Sequence, residues 1–131
     1  LDRTKSASLA TACYRIESEA EYYSRDVVKV VRDEENFALY FSRAPIPFSD
    51  SLFLGLGDAQ IFRHIGLYAY RVGALKRLAA REPTVLERLE QLEQLRALWH
   101  RELIIVCEAE VAPGAGVDTL ADLERASRYF S

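Results

Sequence analysis

Five leucines place the tightest constraint on this chain. Leu86, Leu89, Leu92, Leu95 and Leu98 recur at every third position across residues 86–98. A helix turns once in about 3.6 residues, so a three-residue repeat winds around the helix instead of forming one narrow stripe. A helix built this way packs against different neighbours at its two ends. Its start is marked. Pro83 halts the segment before it, Thr84 suits the N-cap, and Glu87 three residues later completes a capping box. Glu93 projects close to the direction of Leu86 and Leu89, at the border of the apolar surface. A carboxylate there needs a partner, because burying an unpaired charge is costly. The partner is either Arg96, one turn on, or a ligand.

The rest of the chain alternates between strand and helix patterns. Residues 1–16 turn apolar at Leu9, Ala10 and Cys13 and read as a short helix or strand. Residues 17–26 are acidic and polar, as in a surface loop or short helix. The β-branched VVKVV of residues 27–31 and the FALYFS of residues 37–42 read as two strands. The polar residues 33–36 between them suit a hairpin turn. Arg43 sits where the second strand ends, and Pro45 and Pro47 force an extended exit. Residues 61–71 read as the next strand. Its alternation sends Ile65, Leu67 and Ala69 into a core and His64, Gly66, Tyr68 and Tyr70 to the other face. That second face carries hydrogen-bonding groups beside a glycine, the composition of a small-molecule site. A helix over residues 72–82 follows, then the leucine helix. The near-continuous apolar run of residues 103–109 suits a strand covered on both faces. A Pro-Gly loop leads to Thr119 as N-cap of a final helix. This order makes the chain α/β.

Composition narrows the function. With 131 residues, half of them hydrophobic and 28% charged, the chain reads as one soluble globular domain. A net charge of -3 gives no general attraction to nucleic acid or to an anionic membrane, so any anionic ligand must be held by individually placed arginines. No apolar run is long enough to span a bilayer. Cys13 and Cys107 each lie in an apolar stretch without metal-type spacing, so two buried thiols in a reducing cytoplasm are expected. The chain contains no methionine, and the expectation is a sequence that begins downstream of a translation start. The apolar segment 52–56, with Gly55 within it and Gly57 beside it, suits either packing onto its own domain or a partner surface.

Phosphate loops, dinucleotide glycine fingerprints, nucleophile elbows and zinc motifs do not occur. The glycines at Gly114 and Gly116 make a turn. Asp118 beside them suits either a helix cap or Mg2+ binding.

The order of the segments goes further. LAT at residues 9–11, VVKVV, ALYFSRAPIP at residues 38–47, RHIGLYAYR at residues 63–71, LEQLRAL at residues 92–98 and GVDTLADLER at residues 116–125 form one series. This series closely resembles the 3-deoxy-manno-octulosonate (Kdo) cytidylyltransferases, along nearly the whole chain but matching only the carboxy-terminal half of that family. The resemblance implies the second half of a nucleotide-diphospho-sugar transferase, a Rossmann-like fold with a mixed sheet flanked by helices. It implies one domain or fragment over residues 1–131, the sugar-binding and dimerisation half, with the nucleotide-binding half absent and the chain alone inactive. Carried over by position, Arg43 would meet the acidic sugar, His64 and Tyr68 would line its pocket, and Glu93 and Gln94 would bond its hydroxyls. Asp118 would hold Mg2+. Kdo and CTP would be the substrates of a cytoplasmic homodimer serving lipopolysaccharide synthesis, with the segment 52–56 as a candidate interface. Where family members place a basic residue soon after the IP of SRAPIP, Phe48, Ser49, Asp50 and Ser51 stand here. The competing readings are a non-catalytic sugar-binding or interaction module with the same fold, and a transferase for another acidic sugar.

Overall fold

The computed structural model describes residues 6–49 and 61–109. The segment 52–56, the glycine turn at 114–116, Asp118 and the expected final helix lie outside these residues.

The described elements run β1 (Ala7–Arg15), α1 (Glu19–Tyr23), β2 (Lys29–Arg32), β3 (Ala38–Ser42), β4 (Phe62–Tyr70), α2 (Val72–Ala79), α3 (Val85–Glu90), α4 (Leu95–Trp99) and β5 (Leu103–Glu108). The strands form one sheet in the order β3-β2-β4-β1-β5. β1 runs parallel to β5, and the other pairings are antiparallel, so the sheet is mixed as expected. The opening segment is therefore a strand. Every residue from Ala7 to Cys13 is buried, because β1 lies between β4 and β5 with both faces covered. Leu9 and Cys13 face the larger core, which also takes in Phe41, Leu78, Leu92 and Leu95. Ala10 and Ala12 serve two smaller clusters on the opposite face.

The β2–β3 hairpin turns where the polar run indicates. Asp33 Oδ1 accepts from the Glu35 and Phe37 amides, both at 2.9 Å, and Asn36 takes a left-handed conformation with φ 71°. Asparagine tolerates that conformation better than most residues. The tip of the hairpin then meets β5: the Val106 amide donates to the Asn36 carbonyl at 2.8 Å, and Phe37 bridges Ile105. This contact covers part of the edge that β5 would otherwise expose. Cys13 and Cys107 are both free and buried, and burial pushes the Cys13 thiol up to about 12.

The leucine segment departs from expectation. The capping box forms: Thr84 Oγ1 accepts from the Glu87 amide at 3.3 Å, and the Thr84 amide donates to Glu87 Oε1 at 3.2 Å. The helix nevertheless stops at Glu90, and a second begins at Leu95. Gln91 between them is left-handed, with φ 57° and ψ 45°. Geometry explains the break. Each three-residue step lags a full turn by about 60°, so in one straight helix Leu86 and Leu95 would point about 180° apart. Breaking the helix lets Leu86 pack against the same core that Leu92 and Leu95 enter, at 6% and 0% exposure, while Leu89 is left 75% exposed. Truncating Leu95 to alanine would cost about 3 kcal/mol.

Candidate functional site

Two groups of polar side chains lie near the broken helix. The first gathers on β4. β1 and β4 are in register at Ala12↔Ile65 and again at Ala10↔Ala69, which leaves Thr11 alone opposite residues 66–68. The bulge turns two β4 carbonyls towards Thr11. Its hydroxyl lies 2.7 Å from the Leu67 oxygen and 3.1 Å from the Ile65 oxygen. The same hydroxyl is 2.9 Å from His64 Nε2.

The alternation seen in the sequence places the rings. His64, Tyr68 and Tyr70 form a ladder along one face, with centroids 5.4 and 5.9 Å apart, and the edge of Phe41 meets His64 at 4.9 Å. One expectation needs correction. This face is not turned away from the core. Phe62 continues it into the main cluster and Tyr68 packs against that cluster, while Ile65 on the other face joins a smaller one. β4 is thus half-covered on both sides, and its polar face is the one beneath the helices. Gly66 is exposed, with open space where a side chain would stand. Burial holds His64 down at about 4, so its ring is neutral near pH 7. Burial raises Tyr68 and Tyr70 above the ordinary phenol range, and the Glu93 carboxylate adds to the rise in both.

Glu93 and Gln94 occupy the turn between α3 and α4. With Tyr70 they line a hollow of about 130 Å³ floored by Leu9, Leu75 and Leu78. Sites that enclose a ligand usually offer roughly 300–1,000 Å³. This one is a notch that takes an end of a ligand. Glu93 is exposed and has no ion-pair partner among the described residues. The pairing with Arg96 does not form. Arg96 instead grips both oxygens of Glu87, at 2.9 and 2.6 Å, because the break carries Glu93 off the helical surface that would have brought them together.

The second group surrounds Arg43. The carbonyls at the end of α3 lack helical partners. Arg43 supplies them: Nε donates to the Glu90 carbonyl at 2.9 Å, Nη2 to the Gln91 carbonyl at 3.3 Å and Nη1 to the Arg25 carbonyl at 3.1 Å. Three of five guanidinium donors are therefore engaged with backbone. The Glu90 carboxylate completes the clasp by accepting from the Ser42 hydroxyl at 2.6 Å, the Tyr40 hydroxyl at 3.2 Å and the Arg43 amide at 3.1 Å. Beneath it lies Lys29, fully buried. Its ammonium donates to the carbonyls of Ser24, Val27 and Arg43 at 2.7, 2.5 and 2.7 Å, which matches its three protons.

Of the residues singled out in the sequence, His64, Tyr68, Glu93 and Gln94 lie around β4 and the notch. Arg43 lies at the other end of the same helix break, bonded to Gln91. Asp118 is outside the described residues. Tyr70 and Thr11 belong to the site and were not assigned to it. Tyr70 shares the strand parity of His64 and Tyr68, which is signal enough to include it; Thr11 carries no such signal, because only the bulge brings it to His64.

A mixed five-stranded sheet with helices over one face, and beneath them a notch lined by a hydroxyl, a carboxylate and an amide, defines an α/β protein with a candidate site at the helix break. The chain belongs to the cytidylyltransferase family, whose pattern it matches over residues 1–104. It is 47% identical over 133 residues to the 3-deoxy-manno-octulosonate cytidylyltransferase of Halorhodospira halophila, covering 98% of this chain and 52% of that one. It is 51% identical over 130 residues to the corresponding protein of Alkalilimnicola ehrlichii, covering 95% and 49%. A solved structure of CMP:2-keto-3-deoxy-manno-octonic acid synthetase complexed with CTP superposes with a TM-score of 0.73 at 39% identity, over 91% of this chain and 47% of that one. The chain thus spans about half the length of the relatives it matches.

Proposed function

We propose that this chain is the sugar-binding part of an enzyme that transfers CMP from CTP to Kdo, giving CMP-Kdo and pyrophosphate. One observation carries the reading. The His64–Tyr68–Tyr70 ladder reaches, through Tyr70, the notch that Glu93 and Gln94 also line, in a chain 47% identical to Kdo cytidylyltransferases.

The residues divide the work by their hydrogen-bonding capacity. Glu93 accepts from sugar hydroxyls, and Gln94 both accepts and donates. Tyr68 and Tyr70 stay protonated and offer hydroxyl donors. Arg43 keeps two N–H groups beyond its backbone bonds, enough for one bidentate contact with the sugar carboxylate. Held in this way, the anomeric hydroxyl is presented to the α-phosphate of CTP and pyrophosphate leaves. Mg2+ would neutralise charge on the phosphates. Among the described residues no three His, Cys, Asp or Glu side chains are grouped to hold a metal ion. Asp118, in the GVDT segment, would hold the metal, as the resemblance implies. We place the enzyme in lipopolysaccharide synthesis in the cytoplasm as a homodimer. No helix among the described residues is long and apolar enough to cross a membrane.

The test is calorimetric titration of the 131-residue chain with Kdo, alongside a pyrophosphate-release assay with CTP and Kdo. Saturable Kdo binding without product formation is expected. Product formed by these 131 residues alone would refute the division of labour, and no Kdo binding would favour a non-catalytic interaction module.

A further inference from the structure

Thr11 is fully buried and has one hydroxyl proton. Three groups surround its oxygen: the Leu67 and Ile65 carbonyls at 2.7 and 3.1 Å and His64 Nε2 at 2.9 Å. Carbonyl oxygens only accept. The hydroxyl proton must go to one of them, and the Leu67 oxygen is the nearer. Towards His64 the Thr11 oxygen can then only accept, so Nε2 must carry a proton. The reverse arrangement, in which Thr11 donates to a bare Nε2, would set its lone pairs against two carbonyl oxygens with no proton between them. Buried groups avoid that mismatch, which costs as much as a lost hydrogen bond.

The other ring nitrogen is in a different position. Nδ1 has no hydrogen bond among the described residues. The buried side-chain nitrogen and oxygen atoms left without a hydrogen bond among these residues are Arg32 Nε and Arg81 Nη1, so Nδ1 is not sealed from solvent. We infer that Thr11 is a positioning residue that fixes His64 as the Nε2–H tautomer, so that Nδ1 is presented to the ligand as an acceptor for a sugar hydroxyl. This rests on the sugar-binding reading above. It assigns His64 to a hydroxyl of the sugar and leaves the sugar carboxylate to Arg43, because a neutral ring with a bare nitrogen repels a carboxylate. Burial of the ring, which keeps it uncharged near neutral pH, supports the same assignment.

The histidine count makes the test simple, because the chain has only His64 and His100. Long-range proton–nitrogen spectra of the 15N-labelled chain near pH 7 report each tautomer, and His100→Asn assigns the signals. His64 is expected as Nε2–H in the parent chain and in Thr11→Ser, which keeps the hydroxyl. It is expected to lose that bias in Thr11→Val. Kdo titration should give a dissociation constant raised about tenfold in Thr11→Val, the size of one lost buried hydrogen bond, and nearly unchanged in Thr11→Ser. A parent-chain His64 protonated at Nδ1 overturns the inference even if Thr11→Val does not fold. So does a folded Thr11→Val whose tautomer is unaltered. A correct tautomer with no Kdo binding overturns the ligand assignment and the sugar-binding reading, while the role of Thr11 towards His64 stands.

Discussion

The Arg43 corner and the β4 notch lie at opposite ends of one helix break and use their polar groups differently. At the corner, charge is spent on the fold. Lys29 and Glu90 each make three hydrogen bonds, and Arg43 commits three donors to backbone carbonyls. At the notch, Glu93 is exposed without an ion pair among the described residues, and His64 keeps one nitrogen open. The difference separates a frame from a site. A polar group already saturated by protein holds geometry, and one with capacity to spare meets a ligand. Arg43 belongs to both, because two of its donors remain.

This contrast can be broken most directly at Lys29. Lys29→Met takes the ammonium away from the carbonyls of Ser24, Val27 and Arg43, of which only Ser24 keeps a second donor among the described residues, the Val27 amide, so urea unfolding should show a loss on the order of 3 kcal/mol. A loss below about 0.5 kcal/mol, the size of an ordinary surface change, would mean the corner is no frame. Glu90→Ala removes the clasp but leaves the groups nearer to water, and the same measurement should give about 2 kcal/mol. An unaltered midpoint would contradict the clasp.

Glu102 extends the frame to the start of β5, where it joins β1 to α2. It accepts from Ser8 and pairs with Arg77 at 2.8 Å, and the Arg77 hydrogen bond, aided by Ser8, pulls its carboxyl from the ordinary 4.5 to about 2. A depressed carboxyl contributes stability that is complete above its ordinary value and is lost as pH falls through its folded value. Unfolding midpoints measured from pH 5 to pH 2 should therefore fall more steeply in the parent chain than in Glu102→Gln; parallel curves would rule this out.

The smallest effect on stability is expected at the notch. Glu93→Gln should leave the unfolding midpoint within about 0.5 kcal/mol of the parent. Kdo affinity should fall roughly tenfold, the value of a charge-assisted hydrogen bond. A change in stability without a change in affinity would move Glu93 into the frame.

The sequence exposes these two regions unequally. The capping box at Thr84 and Glu87 depends on neighbours three residues apart, and it forms as read. The ring ladder follows from strand parity alone, so His64 and Tyr68 fall together as expected. The break at Gln91 was not legible, because glutamine carries no preference for positive φ; the conformation is held by tertiary bonds from Arg43. Lys29 was hidden for the same reason. A lysine inside VVKVV reads as solvent-facing until the carbonyls of residues 24, 27 and 43 are seen to close on it. Arg43 was assigned to the sugar by resemblance alone, and no local pattern foretold that two of its five donors cap the end of α3 and a third holds the Arg25 carbonyl. Local patterns were readable, and side-chain to backbone bonds that depend on how the segments pack were not.

The separation of frame from site is tested most directly by following the backbone amides of the 15N-labelled chain during titration with Kdo. The expected shifts gather at His64, Gly66, Tyr68, Tyr70, Glu93 and Gln94, with Lys29 and Glu102 unmoved. Shifts centred on Lys29 and Glu102, or none at the notch at saturating sugar, would contradict it.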